Sequence, residues 1–268
     1  MNSADRTFLL DYLCSLEQVR NISATISVLL AHEVDVSIFR NQGRIAGLIY
    51  LLLVLIAPIR LVFIPGKLFV SGNAEATAVN IIANEKLFRF GIVSDLITGT
   101  IMVFLMLALY RLFSHANKEQ AVLMVILGGP VVASIYFFNV LNDAATLALI
   151  RSDHFLNVFT PPQLHAAAYF FLRLHGYEET AAELVWGLWL LPLAILIYQS
   201  RLVPRFFAIW LTANGFAYIV SCFVGFVAPQ YDDKISIISS PLMLGEIAFM
   251  LWLLVRGVRL PSTASLVS

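Results

Sequence analysis

Charge is scarce in this chain: 13% of its 268 residues are Asp, Glu, Lys or Arg, about half the share usual in soluble domains. Such a sequence cannot face water on every side, which excludes an ordinary soluble domain. Neither sign of charge dominates, with 17 Lys and Arg against 17 Asp and Glu, so no global field invites nucleic acid or another polyanion. Cysteine is nearly absent. Cys14 and Cys222 stand far apart and fit neither a disulfide framework nor a zinc site. The chain also lacks a Gly-rich nucleotide loop, a Gly-x-Ser-x-Gly elbow and a Cys-x-x-Cys pair, so soluble-type catalysis has no foothold. What fills the chain instead is apolar. Hydrophobic residues make up 60% of it and the mean hydropathy is +0.85, the profile of a polytopic membrane protein.

A spanning helix needs about 20 mostly apolar residues to cross roughly 30 Å of hydrocarbon. Six runs qualify, at about 43–63, 86–112, 119–141, 181–199, 205–227 and 237–255. None resembles a cleavable signal peptide, so the first is expected to stay as an anchor. Arg40 and Arg44 precede the first run, Arg111 and Lys118 bracket the second loop, Arg201 and Arg205 the fourth, and Arg256 and Arg259 follow the sixth. With six spans these positions share one side, while the opposite loops carry mixed charge. Excess Lys and Arg marks the cytoplasmic side, so both termini are expected there.

Residues 1–41 mix acids with apolar groups at roughly helical spacing and read as a cytoplasmic extension, amphipathic or partly disordered. The membrane domain is expected over 42–259, with a cytoplasmic tail over 260–268. Thr160-Pro161-Pro162 can start a helix. The apolar stretch from Gln163 to Leu174 is too short to span, and Gly176-Tyr177 follows it. These features predict a short interfacial or re-entrant helix before the fourth span. The fold class expected is therefore all-α: a six-transmembrane-helix bundle.

Arg44-Ile45-Ala46-Gly47-Leu48-Ile49-Tyr50 opens the first span, Leu87-Phe88-Arg89-Phe90-Gly91-Ile92-Val93-Ser94-Asp95-Leu96 the second, and Tyr110-Arg111-Leu112-Phe113 closes it. Gly187-Leu188-Trp189, Ser200 with Pro204-Arg205, Gly245-Glu246 and Leu251-Trp252-Leu253-Leu254-Val255-Arg256-Gly257 follow. In this order and combination the motifs resemble the bacterial integral-membrane family called domain of unknown function 4386, from about Arg44 to Val258. The first 40 residues depart from the pattern. The resemblance implies a six-span protein of a bacterial cytoplasmic membrane and brings no activity with it.

Ionisable residues inside a membrane are functional suspects, since a central carboxylate or guanidinium costs at least about 2.5–3.5 kcal/mol on insertion scales. At about 1.5 Å rise per residue, Asp95 falls roughly 13 Å from the outer end of its span. Asn214 and Glu246 fall roughly 13 and 15 Å from the inner ends of theirs. The three are expected to share a midplane layer with no Lys or Arg at that depth. The two acids would then hold or share a proton, as a ligand or proton site or as hydrogen-bonded glue between helices. Asp95 and Asn214 each stand nine residues into their spans, a hint of the inverted repeats of secondary transporters.

A second polar group, Arg60, Arg89, Asp143 and Glu183, is expected near the outer face. Arg60 would pair with Asp143 or Glu183, and Arg89 with Glu85 at i,i+4; unpaired, the arginines would suit a phosphate. His175, Glu179 and Glu183 stand at i, i+4, i+8, a spacing suited to a transition metal that could activate water on a lipid headgroup. Gly176 is expected to break that face, so no metal and no cofactor are expected. Trp186, Trp189, Trp210 and Trp252 are explained as interfacial anchors, and Pro58, Pro130, Pro192 and Pro241 as kinks within spans.

The functional expectation is a non-enzymatic protein binding or moving a small or lipidic ligand through a midplane polar pocket. A lipid-modifying enzyme of the outer leaflet comes second, and a structural or regulatory subunit third. Expected partners are membrane lipids, with a second copy or another membrane protein, and no nucleic acid.

Overall fold

The computed structural model describes residues 39–152 and 156–258. Residues 1–38 of the expected extension, the 260–268 tail and Arg259 lie outside the described residues, whereas residues 39–41 begin the first helix. The described residues form a six-span membrane bundle without strands. Its helices are α1 (Phe39–Leu68), α2 (Ala74–Ala83), α3 (Glu85–Phe113), α4 (Lys118–Arg151), α5 (Pro161–Ser200), α6 (Phe206–Val227) and α7 (Pro229–Arg256). All but α2 are long and apolar enough to cross a bilayer.

Local chemistry sets the boundaries. Asn73 and Asn117 cap α2 and α4, each side-chain oxygen accepting a backbone N–H three residues on. Thr160 and Gln163 form a capping box for α5, with Pro161 at the first helical position. Left-handed residues, Ser152 (φ 52°) and Arg201 (φ 56°), end α4 and α5.

The expected helix before the fourth span does not exist separately. Residues 163–174 are the opening turns of α5, which runs unbroken through Gly176 to Ser200. A glycine within a helix costs only about 1 kcal/mol relative to alanine, and α5 is held against α2, α4 and α6. The additional short helix is α2, between the first two spans.

Two spans carry π-helical turns, Ile59–Phe63 directly after Pro58 and Leu127–Val131 around Pro130. Proline cannot donate its helical hydrogen bond, and the ladder widens there. Pro192 and Pro241 sit within α5 and α7 without such a turn.

Burial is divided into two apolar clusters. The larger joins residues such as Leu109, Leu193, Leu211 and Leu253 toward the end where α1 begins and α7 finishes. The smaller joins Ile64, Ile81, Phe88, Leu147 and Leu172 toward the far end. In lipid, close helix packing depends on small residues. Gly187 of α5 meets Gly215 of α6 so closely that a Cβ on Gly187 would collide with the Gly215 carbonyl. Gly47 of α1 is equally tight against the α7 backbone at Leu254.

Candidate functional site

Buried polar side chains gather in two places. Toward the far end, the π-turn of α1 directs Arg60 inward, onto Asp143 of α4. Arg60 Nε and Nη2 donate to the two Asp143 carboxylate oxygens at 2.8 and 2.7 Å. Their side chains are 1% and 0% exposed. Gly91 of α3 makes room for the arginine stem, since a Cβ there would lie 3.2 Å from Arg60 Cδ. The ring of Phe69 lies 5.5 Å from the guanidinium carbon, within cation–π range.

His175 of α5 joins this pair. Its Nδ1 is 3.3 Å from Asp143 Oδ1, and its Nε2 is 3.0 Å from Glu179 Oε1 and 3.9 Å from Asp95 Oδ2. Asn139 donates to the His175 carbonyl, and Asn142 donates to Glu178, so α4 and α5 are tied along several turns. Arg60, His175 and Glu179 also line a cavity of about 640 Å³, together with Arg173, Tyr169 and Asp232.

The second centre lies deeper. The Tyr50 hydroxyl of α1 donates to Glu246 of α7 at 2.5 Å, and Asn214 of α6 donates its amide N–H to the other carboxyl oxygen at 3.0 Å. Tyr218 lies beside Tyr50 and Glu246 on the same cavity wall. Glu246 then opens onto a cavity of about 270 Å³ whose walls include Tyr50, Tyr136, Trp186, Trp189 and Tyr218. No Lys or Arg is among its lining residues.

The structure thus brings Asn214 and Glu246 together and places Asp95 elsewhere. Asp95 stands with Arg60, Asp143 and His175, so it has a cation close by and is not a midplane partner of Glu246. Helix length explains the difference. Measured from the end where α1 begins and α7 finishes, Tyr50 and Glu246 lie at about 15 Å and Asn214 at about 12 Å. Asp95 and Arg60 lie at about 27 and 31 Å, and Asp143 and His175 at about 37 Å. The α3 helix, 29 residues long, exceeds the roughly 30 Å of hydrocarbon, so a count from its far end makes Asp95 look central.

The expected outer cluster divides as well. Arg60 and Asp143 pair as anticipated. Arg89 lies outside on the half-exposed surface, bonded to Glu85 at 2.7 Å, with Arg151 at 3.5 Å from the same carboxylate. Glu183 faces the Asp232 side and takes no part in the Arg60 pair. The His175–Glu179 contact forms because Gly176 leaves the helix intact, but Glu183 does not join it. Instead Asp95, Asp143 and His175 offer ligand atoms within 4.8 Å of one another, a metal-like triplet. Both Asp143 oxygens already accept from Arg60. The guanidinium supplies the positive charge this pocket requires, and a metal would have to displace it.

Trp186 and Trp189 are wall residues of the deep cavity, Trp189 being buried, and not interfacial anchors. Sequence reasoning gave the two tryptophans a different role and assigned Tyr50, Tyr136 and Tyr218 no place in a site. Tyrosines in mid-span, each an apolar body with a polar tip, were the available signal.

Among comparisons with known proteins, a family model described as a domain of unknown function (DUF4386) matches residues 45–257. That is most of the chain, which therefore belongs to this family. No curated protein and no solved structure matches it.

Proposed function

We propose that this member of the domain of unknown function 4386 family binds, or moves across the bilayer, a small or lipidic ligand held in the deep cavity. One observation carries the reading: Glu246, fixed by Tyr50 and Asn214 from two other spans, opens onto an aromatic-walled space. A site of this kind, largely apolar with a few fixed polar groups, is the usual form of a small-molecule pocket. The basic flanks favour both termini facing the cytoplasm, and the family resemblance favours a bacterial cytoplasmic membrane.

The test is native mass spectrometry of the full chain released gently from the membrane. The wild type is expected to carry an adduct that Ala57→Trp, which fills the cavity wall, loses at equal yield. An adduct unchanged by Ala57→Trp, or none in either protein, counts against the reading.

A second reading, a lipid-modifying enzyme at the far face, draws on His175 set between Asp143 and Glu179 beside the larger cavity. That histidine has the carboxylate neighbours of a general base. Turnover of a phospholipid abolished by His175→Ala and untouched by Glu246→Gln would favour it.

A further inference from the structure

The cavity at Glu246 has an asymmetry of charge that the far cavity lacks. In the far cavity, acids face Arg60 and Arg173. Beside Glu246 the polar partners are donors: the Tyr50 hydroxyl and the Asn214 amide N–H both give hydrogen to the carboxyl oxygens. Donors on both oxygens complement an ionised carboxylate, which can only accept. No basic side chain lines the cavity to balance it. The remaining walls are rich in π-systems, with Trp186 and Tyr218 packed edge to face at 5.8 Å between centroids. Aromatic faces attract cations, tryptophan most strongly, and desolvated ammonium groups are the usual guests.

The shape adds a direction. The cavity is bounded on one side by α1, through Ala57, Pro58 and Leu61, and on another by α7, through Met243, Leu244 and Ile247. Leu244 is 53% exposed and Ile247 38%, so this wall also faces out of the bundle. Where α1 begins and α7 finishes, Gly47 packs tightly on the α7 backbone and Gly43 on Gly257 and Val258 just after it. Toward Pro58 they part around the cavity. An occupant therefore has a polar anchor inside and an apolar exit toward the lipid.

Building on the proposed ligand pocket, we infer that its ligand is a lipophilic organic cation. The ammonium head rests against the Glu246 carboxylate under the Trp186, Trp189 and tyrosine rings, and the apolar part extends between α1 and α7 toward the bilayer.

Two compounds of one shape test this. Phenyltrimethylammonium and tert-butylbenzene differ by a quaternary nitrogen in place of a carbon. Each is titrated calorimetrically into the full chain in dodecyl maltoside, with empty micelles subtracted. The cation is expected to bind at least ten-fold more tightly than its neutral isostere, and Glu246→Gln to remove that preference. Trp186→Leu, which leaves the carboxyl in place, is expected to narrow the preference several-fold and serves as well where Glu246→Gln fails to fold. Equal or tighter binding of tert-butylbenzene overturns the cation assignment while leaving the pocket intact. Binding of neither compound overturns the assignment and the pocket together. A cation preference unchanged in both variants places the binding elsewhere and overturns the assignment.

Discussion

Arg60 and Asp143 show how a charge is tolerated inside this bundle. Two parallel hydrogen bonds satisfy the pair, an aromatic ring covers it, and a glycine on α3 leaves it space. Removing one partner of such a pair strands the other. Asp143→Leu is expected to cost about 3–5 kcal/mol, read by reversible unfolding in mixed micelles. The double variant Arg60→Met with Asp143→Leu is expected to recover most of that loss, because no charge is then left unpaired. The same pairing bears on metal chemistry. Elemental analysis of the purified chain is expected to find no stoichiometric transition metal, and His175→Ala to change nothing. About one zinc per chain, lost in that variant, would reverse the assignment. Asp95 has a different prospect. Its carboxylate stands 3.9 Å from His175, beyond hydrogen-bond range, so Asp95→Asn is expected to accumulate and unfold as the native chain does. That Asp95 and Glu246 are special was legible from their presence in apolar runs. Their partners were not, since which residues meet depends on how far each helix overhangs the hydrocarbon.

Among the elements, α5 organises the rest. It contributes His175 to one centre, Trp186 and Trp189 to the other, and at Gly187 it touches α6 one residue from Asn214. Gly187→Val would force these two helices apart. The expected outcome is a loss of about 1–3 kcal/mol from overpacking, accompanied by weaker ligand binding as Asn214 shifts from Glu246. Gly176→Ala, at a site where a Cβ meets nothing within 4 Å, is expected to stabilise by up to about 1 kcal/mol. Both are measured in one series of thermal melts. The six spans themselves were readable from apolar length. The continuity of α5 was not, because an apolar run, a polar turn and a glycine look alike whether the helix stops or is held by neighbours. The α2 helix was missed for a related reason: the ten residues of this apolar helix are too few to span, and in a loop between two spans they do not stand out.

At the scale of the whole molecule, the loops must alternate between two compartments. With Cys14 and Cys222 replaced by serine, His115→Cys is expected to resist an impermeant thiol reagent in intact cells and Val158→Cys to react. Labelling at His115→Cys before membrane disruption would sink the proposed orientation. The two polar centres then differ in more than chemistry. With roughly 30 Å of hydrocarbon counted from the start of α1 and the end of α7, Arg60 and Asp143 fall at its far edge, almost outside the electric field of an energised membrane. On the same count Glu246, about 15 Å from the end of α7, falls about halfway through it. Carrying one elementary charge across the whole field is worth about 2.3 kcal/mol per 100 mV. A monovalent cation reaching Glu246 from the external water therefore gains about half of that, close to a seven-fold rise in occupancy for every 100 mV of inside-negative potential. The depth of one carboxylate makes the proposed pocket a voltmeter: its affinity in energised vesicles is set by the membrane potential, and collapses toward the micelle value when an ionophore discharges it.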